Sequence, residues 1–325
     1  MTILVTGATG LLGNNIVRLL LHQGHQVRVL TRSKDVSQPL RGLVVELALG
    51  DVRDHAAVAL AMQNVRQVIH CAGHVHIGWS QEELHRSINV EGTRHVAETA
   101  HAIGAQLAYV SSVNALGLGK RDFAANEDTA LPGIVDCPYV RTKREAEQIV
   151  LSQVQKGLNA VILNPGFMLG PWDWKPSSGR MMLEVARRFM PLAPSGSFSV
   201  CDVRDVALGV LAALEKGKSG RHYILGGENI SYFELWKRFA RVTGARGPYF
   251  PAGPLQRCAA ALWGDLWHKI TGQESDLNSA GVRMSSQHHR FRSDRAIAEL
   301  GYRIRPMEET LRDAWQWFVE HGYTK

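Results

Sequence analysis

The sequence predicts an α/β protein in which a doubly wound parallel sheet carries a smaller, mostly helical C-terminal lobe. Three observations predict it. Through the first two-thirds of the chain, short apolar runs alternate with longer stretches of helical periodicity, the pattern of strand–helix–strand crossovers. The apolar runs lack the in–out alternation of half-exposed strands, which puts both faces of the sheet under cover. After residue 165 the texture changes, and Pro, Gly and Trp become frequent, as in "NPGFMLGPWDWKPSSG".

The elements follow in order. Strands are expected at 2–6, 26–31, 44–47, 67–72, 106–112 and 159–165, all short, rich in Val, Ile or Leu, and mostly bounded by Gly, Asn or polar residues. Helices are expected at 11–24, 81–104 and 139–157, and later at 202–216, 231–243, 254–272 and 307–320. The first unit is expected to span 1–165 and the second 166–325, with a return to the first at about 199–225. In the helix at 254–272, Leu262, Trp263, Leu266, Trp267 and Ile270 recur at helical spacing. The favoured reading is an amphipathic helix packed on its own lobe. A cap on a cleft or contact with a membrane surface are the other two.

The 325 residues suffice for one large domain or two interlocked ones. Hydrophobic residues at 45% and charged residues at 21% are ordinary for a soluble globular protein. No segment is apolar for long enough to span a bilayer. The opening "MTILVTG" runs straight into a strand, so no secretory leader and a cytoplasmic location are expected. The four cysteines are scattered and read as reduced thiols rather than a disulfide framework. The formal net charge is +7, with arginines gathered at 283–295 and 302–306; this reads as a solvated basic face. There is no zinc-finger spacing, basic zipper or aromatic RNA-binding stretch, so no nucleic-acid partner is expected.

The first strand leads into "VTGATGLLGNNI", where Gly7, Gly10 and Gly13 form G-x-x-G-x-x-G before a helix. Such a turn lets backbone approach a pyrophosphate, and the helix N-terminus offers free N–H groups to it. Thr9, Leu11 and Leu12 complete this candidate loop. The second strand ends in "VLTRSKD". Arg32 and Lys34 stand where an NAD site usually carries an acid, and a guanidinium can hold a 2′-phosphate. NADP(H) is therefore expected over NAD; the alternative reading of Arg32 is a plain surface arginine. In "LGDVRD", Asp51 and Val52 are candidates for the adenine side, with Asp51 alternatively a helix cap, a place Asp54 fills better. "HCAG" ends the fourth strand with small residues, and Cys71, Ala72 and Gly73 are expected beside the ribose. Cys71, His74 and His76 do not make up a metal-ligand set, and no metal is expected.

"LAYVSSVNALG" ends the fifth strand with Ser111 and Ser112, where ligands of parallel sheets sit. Tyr139 follows 27 residues after Ser112, and Lys143 lies one helical turn beyond, on the same face. An ammonium near a phenol, with a cationic nicotinamide ring close by, lowers its pKa from about 10. This makes Tyr139 a candidate acid or base, with Ser112 holding a carbonyl oxygen.

Together "TGATGLLG", "GDVRD", "HCAG", "NVEGT", "YVSS", "YVRTK" and "NPGFMLGP" resemble the extended short-chain dehydrogenase/reductases, a Rossmann-type family, over nearly the whole chain and in the same order. The resemblance implies catalysis by Ser112, Tyr139 and Lys143. Lys143 would also bind the ribose. The family pattern puts Asn89 near the nicotinamide end, and the backbone around Pro165, Gly166 and Met168 beside the nicotinamide. It implies a cofactor domain in 1–165 and a substrate-binding lobe in 166–325. Many members pair subunits through the helices corresponding to 81–104 and 139–157, so a homodimer is expected.

Within the family, Ser112 is followed by Val113 and Asn114 rather than the acid pair of sugar dehydratases. No arginine precedes Phe198 as in many nucleotide-sugar enzymes, although Arg180, Arg204 or Arg283 could substitute. The pattern looks more like the dihydroflavonol-reductase-like and 3β-hydroxysteroid-dehydrogenase-like branch, whose implied substrates are apolar ring ketones or alcohols. Candidate substrate contacts are His74, Trp79, Val113, Asn164, Trp172 and Met181, with Trp174 and Phe198 behind them; packing between lobes is the alternative for each. The expected activity is NADP(H)-dependent interconversion of a ketone or aldehyde and an alcohol. The alternatives are a nucleotide-sugar epimerase with tightly bound NAD and a non-catalytic NADP sensor.

Overall fold

A computed structural model of the chain describes residues 2–33, 38–130 and 133–324. Six strands and their helices alternate through its first half: β1 (Thr2–Thr6), α1 (Leu11–His22), β2 (Gln26–Thr31), β3 (Glu46–Leu49), α2 (His55–Ala61), β4 (Val65–His70), α3 (Glu82–His85), α4 (Gly92–Ala102), β5 (Gln106–Val110), α5 (Pro138–Gln155) and β6 (Ala160–Pro165). Then come β7 (Phe167–Leu169), α6 (Ser178–Arg187), β8 (Leu192–Ala193), β9 (Ser197–Asp202), α7 (Val203–Lys216) and β10 (His222–Leu225). The chain closes with β11 (Glu228–Ser231), α8 (Tyr232–Thr243), β12 (Phe250–Pro251), α9 (Pro254–Thr271), α10 (Ser279–Met284), β13 (His288–His289), α11 (Asp294–Leu300) and α12 (Met307–Glu320).

The main sheet has the strand order β10-β6-β5-β4-β1-β2-β3, and every pairing in it is parallel. It is buried on both faces, as its apolar strands require. On one side Ile3, Val5, Val27, Val29 and Leu163 pack with Val206 and Val210 of α7. On the other Leu4, Val68, Leu107 and Tyr109 pack with Val58, Val96 and Val150. The strand order reverses at β1, between β2 and β4, which opens a crevice beyond the strands' carboxyl ends. A second core of Leu169, Met182, Phe198, Leu235, Phe239, Leu311 and Phe318 lies in the later part of the chain. Helix starts follow local chemistry: Asp54 accepts from the amides of Ala56 and Ala57, and Ser231 accepts from Glu234.

The structure corrects the sequence expectation in several places, the fifth strand ending at Val110 rather than 112 among them. The third strand runs 46–49 rather than 44–47, because pairing with β2 begins at Glu46 and Val44 is 89% exposed. The fourth ends at His70, so Cys71 and Ala72 leave the sheet into the crevice. The helix at 81–104 is interrupted by a π-helical turn, Arg86–Glu91. Finally, α9 turns its apolar side outward: Gly264 is its only buried residue, while Leu262 and Trp263 are 66% and 63% exposed.

Candidate active site

The crevice starts from a turn that requires glycine. Gly7 has φ of +69°, and a Cβ there would stand 2.6 Å from the Ala72 amide nitrogen. At Gly13 a Cβ would stand 2.3 Å from the Gly7 carbonyl oxygen. Only glycine allows α1 to settle this close to the β1–β4 edge. Gly10, the N-cap of α1, offers no side-chain acceptor. The first amides of α1 therefore keep open donors at the positive end of the helix dipole. Thr9 and Leu11 are half-buried on the rim, and Leu12 is buried beneath. These features fit a dinucleotide pyrophosphate.

Along the crevice, Arg32 is exposed after β2, and Lys34 lies outside the described residues. Asp51 accepts from the Arg53 guanidinium at 3.0 and 2.8 Å. Arg53, with a contribution from Arg32, holds that carboxyl below its usual range. Val52 is buried against Gly92, and its carbonyl meets the His95 ring at 3.0 Å. The Ala72 amide donates to the Thr6 hydroxyl at 3.2 Å. Burial pushes the Cys71 thiol up to about 12, which keeps it unreactive.

The floor beyond β4, β5 and β6 is a buried polar network. Pro138 opens α5 at its first turn, where a missing N–H is harmless. Tyr139 and Lys143 follow, each about 5% exposed or less. Lys143 Nζ donates to the Val110 carbonyl at 3.0 Å and lies 5.3 Å from the Tyr109 ring. Burial lowers this ammonium to about 8, with Glu147 one turn on pulling the other way. Asn164 Nδ2 donates to Glu147 Oε1 at 2.7 Å and to the Ser112 carbonyl at 2.9 Å. A brace thus runs from the Ser112 carbonyl through Asn164 to Glu147, one turn along α5 from Lys143. The Ser112 hydroxyl accepts from the Asn114 amide at 3.2 Å. Burial pushes the Tyr139 phenol above its usual range, and the Ser112 hydroxyl beside it opposes this. In the chain by itself desolvation dominates this phenol, and the Lys143 ammonium is tied to the Val110 carbonyl.

Gly73 joins the two ends of the site. A Cβ there would stand 3.3 Å from both Asn89 Oδ1 and Lys143 Nζ. Asn89 is held inside the π-helical turn. Its Oδ1 accepts from the His74 amide at 2.7 Å, and its Nδ2 donates to the His74 carbonyl at 3.1 Å and to Thr142 at 3.2 Å. His85 is buried, with its ring 4.5 Å from His74 and 6.1 Å from Tyr139. Burial pushes it down to about 4.

The mouth is stapled from far along the chain. Glu274 accepts from His76 at 2.9 Å, from the amides of Trp79 and Ser80 at 2.7 and 3.0 Å, and from the Ser80 hydroxyl. Burial works to raise this carboxyl, but these donors outweigh it and hold it at about 2. Trp79 Nε1 donates to Ser279 at 2.8 Å.

His74 and Trp79 stand at this mouth, but the other four expected substrate contacts are packing residues. Asn164 is fully buried in the brace behind Ser112. Val113 is buried with Leu116, Ala125, Ile224 and Phe291. Trp172 lies under the Arg18 guanidinium at 3.3 Å and joins Trp174 and Trp317. Met181 packs on the second core, where Phe198 is buried. Pro165 is buried at the end of β6 and Met168 packs on the first core. The Gly166 amide donates to the Leu225 carbonyl at 3.1 Å, so it is not free for a nicotinamide.

Sequence reasoning missed His70, Glu147 and Glu274. His70 is fully buried between the hydroxyls of Thr6 at 2.7 Å and Thr93 at 3.1 Å. Burial, with Lys143 adding to it, takes it down to about 3. Its one signal was a histidine closing a strand just after the apolar pair Val68 and Ile69.

Comparison with known proteins agrees with this arrangement. Residues 3–226 match the NAD dependent epimerase/dehydratase family. A Synechocystis sp. protein named "Putative dihydroflavonol 4-reductase" is 36% identical over 99% of this chain and 95% of its own length. Sterol demethylase protein B of Methylococcus capsulatus is 32% identical over 99% of both. The crystal structure of gox2253 superposes with a TM-score of 0.87 at 35% identity, covering 100% of this chain and 99% of that one. With its parallel Rossmann-type sheet, glycine turn and motif order, the chain belongs to the NAD dependent epimerase/dehydratase family, within the extended short-chain dehydrogenase/reductases.

Proposed function

We propose that this enzyme is an NADP(H)-dependent oxidoreductase that interconverts a ketone or aldehyde with an alcohol on a small, largely apolar, cyclic substrate. One observation carries the reading: a buried Tyr139 beside the Ser112 hydroxyl, with Lys143 fixed one turn along α5 and linked through Gly73 to the glycine cradle. Residues 1–165 with the return near 199–225 would hold the cofactor, and 166–325 would shape the substrate side.

A bound nicotinamide cofactor supplies or accepts the hydride. The chain handles the proton. The Ser112 hydroxyl donates to the substrate oxygen, and Tyr139 gives that oxygen its proton in reduction. A phenol held above its usual range stays protonated at neutral pH, which suits the reductive direction. Lys143, fixed by the Val110 carbonyl, would direct its remaining protons to the cofactor's ribose hydroxyls. Arg32 would bind the 2′-phosphate. The names of the relatives, a dihydroflavonol 4-reductase and a sterol demethylase protein, support an apolar ring substrate. For a nucleotide sugar, Arg204 would be the natural diphosphate ligand, but it is already bound by Asp202 at 2.7 Å and Asp313 at 2.6 Å.

The test is NADPH consumption over a panel of cyclic ketones. Tyr139→Phe should lower turnover roughly a hundredfold or more with cofactor binding kept, and Arg32→Ala should remove the preference for NADPH over NADH. Normal turnover by the Phe variant would overturn the mechanism. An unchanged preference in the Ala variant would overturn the NADP assignment.

A further inference from the structure

We infer that the outward face of α9 is a docking surface for an anionic lipid bilayer, which the protein binds peripherally. In α9 the usual polarity is reversed. The inward side is held by small and polar groups: Gly264 rests against the backbone of Leu277 and Asn278, Asp265 accepts from the Ser279 amide at 2.9 Å, and Arg257 donates to Ser195 at 3.3 Å. The outward side carries Leu255, Leu262, Trp263, Leu266, Trp267 and Ile270, from 45% to 84% exposed. At 1.5 Å per residue the 18-residue helix is about 27 Å long, so this is a continuous apolar strip of a kind that marks an interaction surface.

Further exposed aromatic residues lie just before α9 in the chain. Tyr249 and Phe250, 60% and 66% exposed, precede α9, and the Phe189 ring lies 5.2 Å from Tyr249.

Charge selects the occupant. Among the described residues of α9, Lys269 is the only charged one that is exposed. Exposed Arg187, Arg188 and Arg246 stand close to Phe189 and Tyr249 in the chain, Arg188 paired with Glu184 at 3.5 Å and Arg187 donating to the Tyr323 carbonyl, and the whole chain carries +7. After α9 in the chain, the exposed Asp276 is paired with Arg180 at 2.8 Å. A second copy carries the same net positive charge as the first. A bilayer with anionic head groups complements it, with leucines in the acyl region and tryptophans at the head-group boundary. No helix of the described residues is long and apolar enough to cross a membrane. The geometry is therefore that of a helix lying in the interface plane.

The experiment is flotation of the purified full chain with phosphatidylcholine vesicles, with and without phosphatidylglycerol, alongside tryptophan emission. The protein should float with the phosphatidylglycerol vesicles, its emission should shift to the blue, and added salt should weaken binding. Leu262→Asp combined with Trp263→Asp should reduce flotation at least about tenfold. Because both side chains are exposed, thermal unfolding should stay unchanged. Equal flotation by the variant would overturn the inference, as would no flotation of the native chain. So would a dimer in sedimentation that the same variant dissolves, since a second copy would then be the occupant. Vesicle binding needs no turnover, so the result is independent of the catalytic reading.

Discussion

The floor of the site and the flank at α9 both break the rule of polar outside and apolar inside, and they break it in opposite directions. Beneath the crevice, His70, Lys143, Glu147 and Asn164 are at least 96% buried, yet each has partners within the chain. At α9, leucines and tryptophans face outward, about half or more of each exposed among the described residues. A buried polar group is costly only when unpaired; these four side chains each have a partner inside the chain, although Asn164 Oδ1 and the nearby His85 Nε2 have none. An exposed apolar strip gains free energy only from something the chain does not contain. The difference separates a device for holding reacting groups still from a device for meeting another phase.

The contrast can be sharpened or broken by substitution, and the largest effect belongs to His70. Its ring is neutral down to about pH 3 in the folded chain, whereas an unfolded histidine protonates near 6.5. Between those values the unfolded state binds the extra proton, so stability falls as pH falls, by roughly 5 kcal/mol for the full shift. Urea titrations at a series of pH values should show this slope in the native chain, reduced by one proton in His70→Gln. Identical slopes would mean that the ring is not kept neutral by burial.

Next comes the turn at Gly7. An alanine there combines a positive φ with a clash against Ala72, and should lower stability by about 3 kcal/mol and weaken dinucleotide binding, read by cofactor fluorescence. The smallest effects compare the two regions directly. Asn164→Ala strands the Ser112 carbonyl and Glu147, and should lose about 2 kcal/mol in chemical denaturation. Leu262→Gln on α9 should change stability by less than about 0.5 kcal/mol. If the two substitutions cost the same, the division into internally bonded floor and exposed flank fails.

Much of the floor was legible in the sequence because its residues sit at ends of strands. Gly7, Gly13, Ser112, Tyr139 and Lys143 lie within a few positions of a strand or helix end, and parallel topology brings those ends together. What was not legible depends on direction or distance. Periodicity shows that a helix has an apolar side but not which way it faces, so α9 was read inside out. The same limit hid Asn164: its place in β6 was legible, but not that its amide turns back to Glu147 and Ser112. Glu274 reaches the loop at His76 from 198 residues away, and no local pattern announces such a staple. Trp172 suggested a pocket by its bulk, whereas its ring is taken by Arg18.

The π-helical turn at Arg86–Glu91 amounts to a phase shift in an otherwise continuous rod. Each residue of an α-helix turns the rod by about 100°, and an insertion of one residue survives as a local bulge where the displaced side chain has a use. Here the displaced side chain is Asn89, which ties the loop at His74 to α5. Deleting one residue within 86–91 would let the rod run on smoothly as α-helix and swing that amide about a quarter-turn from its partners. α4 would keep its apolar contacts with the sheet. At this place the orientation of one amide is set by the length of the chain as much as by its composition.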